Sequence, residues 1–210
     1  EFTQIHIESQ ISKYKNEPVL ILSDGGDIQK PYAKKMGKVC GNVDGSNGHK
    51  PGRGYCMESL VAYGAKSGIM TPLAMHLFST EDEGYKSDFL EHRKVFDMTK
   101  DFIISSVYDR IFVEDRGCDD RRRFEYIVDG LKASFVTRIH AGNKSRGVLI
   151  ETDEGMQVRS IKEVATDLAD SACAKKKWYN KKVDKTLTSK IAWKRVYLPG
   201  REDLPLHALF

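Results

Sequence analysis

Two short runs carry the residues best suited to chemistry: Val19-Leu20-Ile21-Leu22-Ser23-Asp24 and Ile111-Phe112-Val113-Glu114-Asp115-Arg116-Gly117. Each is an apolar stretch that ends on an aspartate. A run of this kind reads as a strand buried on both faces. A carboxylate is seldom buried without a partner, so each aspartate is expected where the chain leaves the core. Side by side, two such strand ends would present two oxygen ligands to one hard divalent cation. One strand-end aspartate alone more often caps the next helix. The elements between the two must therefore bring them together.

Those elements are legible. Residues 3–15, with Ile5, Ile7 and Ile11, read as a short helix feeding a strand that Pro18 opens and Asp24 ends, with Gly25-Gly26 turning the chain. The stretch from Asp27 to Gly54 reads as a long basic loop with Lys30, Lys50 and Arg53, and it holds no phosphate-cradling glycine motif. Tyr55 to Tyr63 and Ile69 to Phe78 form a hairpin around Gly64-Ala65-Lys66-Ser67-Gly68. Pro72 favours an edge position or a bulge in its second strand. Ser87 to Ser106 is a predicted helix, with Phe89, Phe96 and Ile103 on one side, broadened by Leu90, Val95, Met98 and Phe102. After the second Asp-ended strand, Asp119 is the expected cap of a helix over Phe124, Ile127, Val128 and Leu131. Ala133 to Ile139 forms one more strand. Three antiparallel strands followed by a βαβ crossover is the ribonuclease-H-like order, an α/β fold with a mixed sheet flanked by helices. That order makes the first and fourth strands neighbours, joining Asp24 to Asp115 across 91 positions of sequence. The reading divides the chain into residues 1–140, the first part of a catalytic core, and residues 141–210, a β-rich insertion subdomain that the C-terminus truncates.

Composition is that of a globular chain: 210 residues, 40% hydrophobic and 30% charged. No apolar run approaches the ~20 residues of a membrane span, and no signal-type segment opens the chain. The absence of an initiator Met suggests a piece of something longer, with a cytosolic setting expected. Cys40, Cys56, Cys118 and Cys173 form no Cys-x-x-Cys pair, against a structural zinc site and a disulfide scaffold. The six histidines show no ligand spacing. Net charge is +4, yet Ser171–Gly200 holds nine Lys/Arg against the single acid Asp184. Lysines interleaved with Trp178, Tyr179 and Trp193 suit a polyanion, with stacking on the rings; the alternative is a merely solvated surface.

The motifs have a family likeness. Ile21-Leu22-Ser23-Asp24-Gly25-Gly26-Asp27-Ile28-Gln29-Lys30 resembles the first-aspartate motif of IS4-type DDE transposases: apolar strand, Asp, two small residues and a distal Lys. Val113-Glu114-Asp115-Arg116-Gly117-Cys118-Asp119-Asp120 resembles their second motif, Asp-Arg-Gly-Phe-x-Asp, and Phe135-Val136-Thr137-Arg138 resembles the Phe-Val-x-Arg strand after it. The match runs from about Val19 to Ile139, and the family's β-rich insertion would follow. The family's third carboxylate, a Glu within Tyr-x-x-Arg-x-x-x-Glu, has no counterpart before Phe210.

The resemblance implies metal-dependent DNA strand cleavage and strand transfer during movement of an insertion sequence. Asp24 and Asp115 would be catalytic metal ligands, with two Mg²⁺ (or Mn²⁺) ions in the complete site: one activating a water or DNA 3′-OH, the other steadying the departing oxygen. The partner is double-stranded DNA, as transposon ends and target, with a homodimer in the synaptic complex and no membrane. The setting is a bacterial or archaeal cytoplasm, at the nucleoid. Lys30, Lys50, Arg53, Arg116, Arg138, Lys175, Lys176, Lys177, Trp178, Lys181 and Lys182 are the expected DNA contacts, though Arg116 and Arg138 could instead pair with acids. With its third acid missing, the fragment is expected to be inactive and to leave a flank of its sheet uncovered. Asp27 is a turn residue or a group near the metal in equal measure, Glu114 should face the opposite side of the sheet from Asp115, and Asp119 is a cap rather than a ligand. Two rivals stand beside the transposase: another ribonuclease-H-like nuclease, and a non-catalytic DNA-binding remnant.

Overall fold

The first strand, β1 (Val19–Gln29), does not stop at Asp24 but runs five residues beyond it. The computed structural model describes residues 14, 17–44, 50–104, 109–139, 146–168, 174–181 and 184–210, with the side chains of Asp44, Arg116, Trp178 and Lys190 outside the description. The chain divides into two compact units, Glu1–Arg138 and Ile139–Phe210.

In the first unit β1 pairs antiparallel with the long β3 (Lys50–Gly64) along its whole length, Val19 opposite Gly64 and Gln29 opposite Gly54. Gly25 and Gly26 lie inside this ladder, opposite Glu58 and Met57, so the expected turn is absent. The expected loop is partly strand: β2 (Cys40–Asp44) pairs with the start of β3, and β3 itself begins at Lys50. The reason is a partner the local pattern does not reveal, since β3 is 15 residues long and serves both neighbours. Gly54 is where β1, β2 and β3 meet, and a Cβ there would stand 1.9 Å from the Ile28 carbonyl oxygen. Only glycine allows that approach.

Strand β4 (Met70–Phe78) pairs with β3, among the described residues on one side only, and its register slips between Leu60 and Val61, beside Pro72. An edge position and a bulge both suit a residue without an N–H. Helix α1 (Asp88–Ile104) follows, then β5 (Arg110–Glu114), which pairs parallel with β1 over residues 19–23, and β6 (Ser134–Thr137), parallel to β5. The main path of the sheet is thus β4-β3-β1-β5-β6, with β2 continuing β4's side of β3.

Between β5 and β6 a 3₁₀ turn at Arg116–Cys118 leads into α2 (Arg121–Glu125), which widens into a π-helical turn at Tyr126–Gly130. Its cap is Asp120, whose carboxylate accepts from the Arg122 N–H at 2.9 Å, not the expected Asp119. The intervening 3₁₀ turn shifts the helix start by one residue. Val95, Phe96, Phe102 and Ile103 of α1, with Ile127 and Leu131, pack on Val19, Ile21, Leu60, Ala62 and Phe112 of the sheet. Leu90 and Met98, expected on that face, are exposed; Glu91 and Thr99 are buried instead. The opposite face of the sheet carries Leu20, Leu22, Ile111 and Val113, half-buried, and Met75, Leu77 and Val136, exposed. No helix among the described residues covers it.

The second unit holds a sheet of order β12-β11-β7-β8, from β7 (Gly147–Thr152), β8 (Gly155–Ser160), β11 (Trp193–Leu198) and β12 (Arg201–Leu209). Helix α3 (Ile161–Leu168) starts on a capping box: the Glu163 N–H donates to Ser160 Oγ, and the Ser160 N–H donates to Glu163 Oε2. Ile161 and Val164 pack on Val148, Ile150 and Val196. Strands β9 (Ala174–Asn180) and β10 (Lys185–Ile191) form a separate two-stranded ribbon. No helix of the described residues is long and apolar enough to cross a membrane.

Candidate functional site

Parallel pairing of β1 with β5 ends on the rung Ser23–Glu114, and the next residue on each strand is an aspartate. The structure thus brings Asp24, in β1, and Asp115, just past the end of β5, to one end of the sheet. β1 continues while β5 stops, so beyond this rung, among the described residues, β1 is paired on its β3 side alone. Alternation along β1 and β3 puts Asp24 with Ser59 on the face that no described helix covers, and Ser23 and Glu58 on the helix-covered face.

Both aspartates are exposed, and among the described residues no lysine or arginine pairs with either. Asp115 is held by its own turn: Oδ1 accepts from the Gly117 N–H at 2.7 Å, and the Asp115 carbonyl accepts from Thr137 Oγ1 at 3.3 Å. A Cβ at Gly117 would stand 3.0 Å from that Oδ1, crowding the carboxylate it now steadies. Partial loss of solvent, then the negative charges of Asp115 and Glu58, push the Asp24 carboxyl above its usual range. A carboxylate whose charge is disfavoured by a neighbouring carboxylate is a fitting receptor for a hard cation, which relieves the repulsion. Among the described residues no cluster of three or more His, Cys, Asp or Glu side chains converges on a single metal position.

Beneath the aspartates lies a buried network that the sequence reading missed. Arg123, 1% exposed, donates from Nε to Glu114 Oε1 (2.6 Å), from Nη2 to Glu58 Oε1 (2.9 Å) and Ser23 Oγ (2.5 Å), and from Nη1 to His92 Nδ1 (2.6 Å). Ser23 Oγ donates in turn to Glu58 Oε1 at 2.6 Å. Burial disfavours the Arg123 charge, but Glu114 and Glu58 outweigh it and hold the guanidinium protonated well above the ordinary arginine value. An arginine only donates, so His92 Nδ1 accepts and its proton sits on Nε2, 3.6 Å from Glu58 Oε2. Burial, the largest influence, lowers the His92 pKa and favours this neutral form. The signal for Glu58 was present, since it shares strand parity with Leu60 and Ala62. Arg123, beside Phe124 in a five-residue helix, offered no such periodicity.

The expected DNA contacts fall into separate places. Lys30, Lys50 and Arg53 are exposed on the β1–β3 extension beyond Asp24, where the Lys30 N–H donates to the Arg53 carbonyl at 2.7 Å. Arg138 is exposed just past β6, its N–H donating to the Glu114 carbonyl at 3.3 Å. The Arg116 side chain lies outside the described residues. In the second unit Lys175, Lys176 and Lys177 are exposed along β9, with Lys177 opposite Thr188 and Lys175 opposite Lys190. Lys181 is exposed in the turn that follows, while Lys182 and the Trp178 side chain are outside the description. Asp27, opposite Cys56 in the β1–β3 ladder, is a strand residue rather than a turn residue. Burial first, then the Cys40 thiol beside it, pushes Cys56 up to about 12, and the described cysteines are free thiols.

No protein-family model matches the chain. No curated protein matches it either. Among solved structures it resembles Endonuclease V of Ciona intestinalis, a nuclease solved with a 24mer DNA containing an inosine followed by a ribo-adenosine. The two are 11% identical, the alignment covers 90% of this chain and 75% of that one, and the TM-score is 0.34. A likeness so slight carries no argument about fold or activity.

Proposed function

We propose that residues 1–140 form the first part of a ribonuclease-H-like catalytic core of an IS4-type DDE transposase, and residues 141–210 a β-rich insertion within it. One observation carries the reading: parallel, in-register pairing of β1 with β5 sets Asp24 beside Asp115 on a solvent-open end of the sheet. The path β4-β3-β1-β5-β6, antiparallel over its first three strands and parallel over its last three, supports the fold assignment.

Asp24 and Asp115 would hold a hard divalent cation, Mg²⁺ or Mn²⁺; carboxylate oxygens suit these and nothing selects zinc. The bound ion would supply charge neutralisation at a scissile phosphate. The chain's own residues bind and orient: the Gly117 amide fixes the Asp115 carboxylate, and Lys30, Lys50 and Arg53 offer phosphate contacts along the strand that leaves Asp24. The ribbon lysines Lys175, Lys176 and Lys177 add sequence-tolerant affinity for duplex DNA.

The test has two parts. The first is the coding sequence after Phe210, where a helix bearing Tyr-x-x-Arg-x-x-x-Glu is expected. The second is a strand-transfer assay on the chain extended through that helix, with Mg²⁺ and Mn²⁺ and with Asp24→Asn and Asp115→Asn as controls. Joining of a DNA 3′-OH end to target, lost in both variants, is the expected result. Metal-dependent cutting without joining makes the protein another nuclease, and DNA binding indifferent to metal makes it a non-catalytic remnant.

A further inference from the structure

Arg123 touches both side chains of the last rung that β1 and β5 share, Ser23 and Glu114. Each is bonded through the backbone to one of the two aspartates. The same guanidinium reaches Glu58, which lies opposite Gly25, so Asp24 is flanked on both sides by positions tied to this group. A Cβ at Gly25 would stand 3.4 Å from Glu58 Oε2, which places that carboxylate directly against the β1 backbone one residue past Asp24. His92, on α1, accepts a fourth interaction, and the guanidinium lies 4.7 Å from the centre of the Phe96 ring. One buried group therefore links β1, β3, β5 and α1 at the level where β5 gives out.

We infer that Arg123 is a positioning residue for the aspartate pair, setting the spacing of Asp24 and Asp115 through the rung that precedes them; this rests on the reading of that pair as a cation site. A hard cation takes its oxygen ligands within a narrow shell of about 2.0–2.6 Å. Ligands on two strand ends meet that demand only if the ends do not slide or splay. Beyond Ser23–Glu114 no β1–β5 ladder remains to prevent it. The clamp does so because a guanidinium is a planar fork with five donors, able to bond one oxygen of each of two carboxylates, a hydroxyl and an imidazole at once. A lysine keeps the charge and loses the fork. Groups that orient metal ligands from behind change affinity by about 10–100-fold when altered, and Arg123 acts one bond further back, at the lower end of that range.

The experiment uses the 210-residue chain and Mn²⁺ alone, with binding read from the free-ion electron paramagnetic resonance signal. The variants are Asp24→Asn, Arg123→Lys and Ser23→Ala. Thermal melts accompany the titrations so that binding is compared where each variant is folded, and amide exchange is followed at residues 24 and 115. Ser23→Ala keeps every ion pair and removes only the bridging hydroxyl, so it decides the matter if Arg123→Lys does not fold. Expected is Mn²⁺ binding lost in Asp24→Asn and weakened about tenfold in Arg123→Lys, less in Ser23→Ala. Unchanged affinity in both Arg123→Lys and Ser23→Ala, with Asp24→Asn still defective, overturns the positioning role and leaves the cation site standing. If the parent binds no Mn²⁺ through Asp24, the cation reading fails, and amide exchange decides the rest. Faster exchange confined to residues 24 and 115 in the variants upholds the clamp; exchange equal to the parent's overturns it.

Discussion

Four carboxylates sit within two residues of the same rung, and the sheet treats them in opposite ways. Glu58 and Glu114 are buried and share one guanidinium with a serine and a histidine. Asp24 and Asp115 are exposed, face no cation among the described residues, and one raises the proton affinity of the other. Strand alternation makes the difference, since adjacent residues on one strand point to opposite faces. The buried pair has one guanidinium built in between its two carboxylates, so it is a structural element, costly to disturb. The exposed pair has a counter-charge missing, so it is the better place to look for an exogenous cation.

That contrast can be broken most forcefully at Arg123. Arg123→Met leaves two buried carboxylates with no counter-ion, and about 3–5 kcal/mol of stability should be lost in urea denaturation. If the loss is under about 1 kcal/mol, the two pairs do not differ as described. The reverse is expected of Asp24→Asn and Asp115→Asn. Each should melt within about 0.5 kcal/mol of the parent or slightly above it, because removing an exposed, repelled charge breaks no ion pair. Mn²⁺ at a hundred times its dissociation constant should stabilise the parent by about 2.7 kcal/mol and leave both Asn variants unmoved, and a chelator should reverse the gain.

The comparison sharpens further away from the pair. Replacing Lys175, Lys176 and Lys177 with Gln should reduce the log–log salt dependence of duplex binding by about 0.9 for each phosphate no longer neutralised, with Mn²⁺ affinity unchanged. An unaltered slope would make these lysines a solvated surface. The smallest effect is expected at Glu17, whose carboxylate accepts from the Lys66 and Ser67 N–H groups and Ser67 Oγ at the β3–β4 turn. Those hydrogen bonds, Ser67's first, hold its pKa below the ordinary carboxylate value. Its contribution is therefore full above the unfolded-state pKa and fades as pH falls through the lowered, folded-state one. Glu17→Gln should lower the melting temperature slightly at neutral pH and flatten its decline on the acid side.

Much of the first unit was legible in the sequence because its signals are local. The β3–β4 hairpin announced itself by two β-rich runs around a Gly-containing connection, Pro72 by its missing N–H, and α1 by a helical period. The second unit reads as mostly β, but the short β8 carries little pattern, since its apolar Met156 and Val158 are exposed and its polar Gln157 and Arg159 half-buried. The continuation of β1 through Gly25-Gly26 is hidden for another reason. Two glycines signal a turn when nothing else is known, and only a 15-residue partner strand overrides them. Asp119 is the cap the sequence points to, and the 3₁₀ turn at Arg116–Cys118 moves that role to Asp120.

By itself the sequence determined that two apolar runs end in aspartates and that the intervening elements could make their strands neighbours. It did so because strand and helix periods are written in adjacent residues. Only the tertiary structure decided which charges at that rung are locked and which are left open. Glu58, His92, Glu114 and Arg123 come from four different elements, the farthest separated by 65 positions, and nothing local marks them as partners. Their meeting depends on the register of β1 between β3 and β5, and register is a property of the packed sheet.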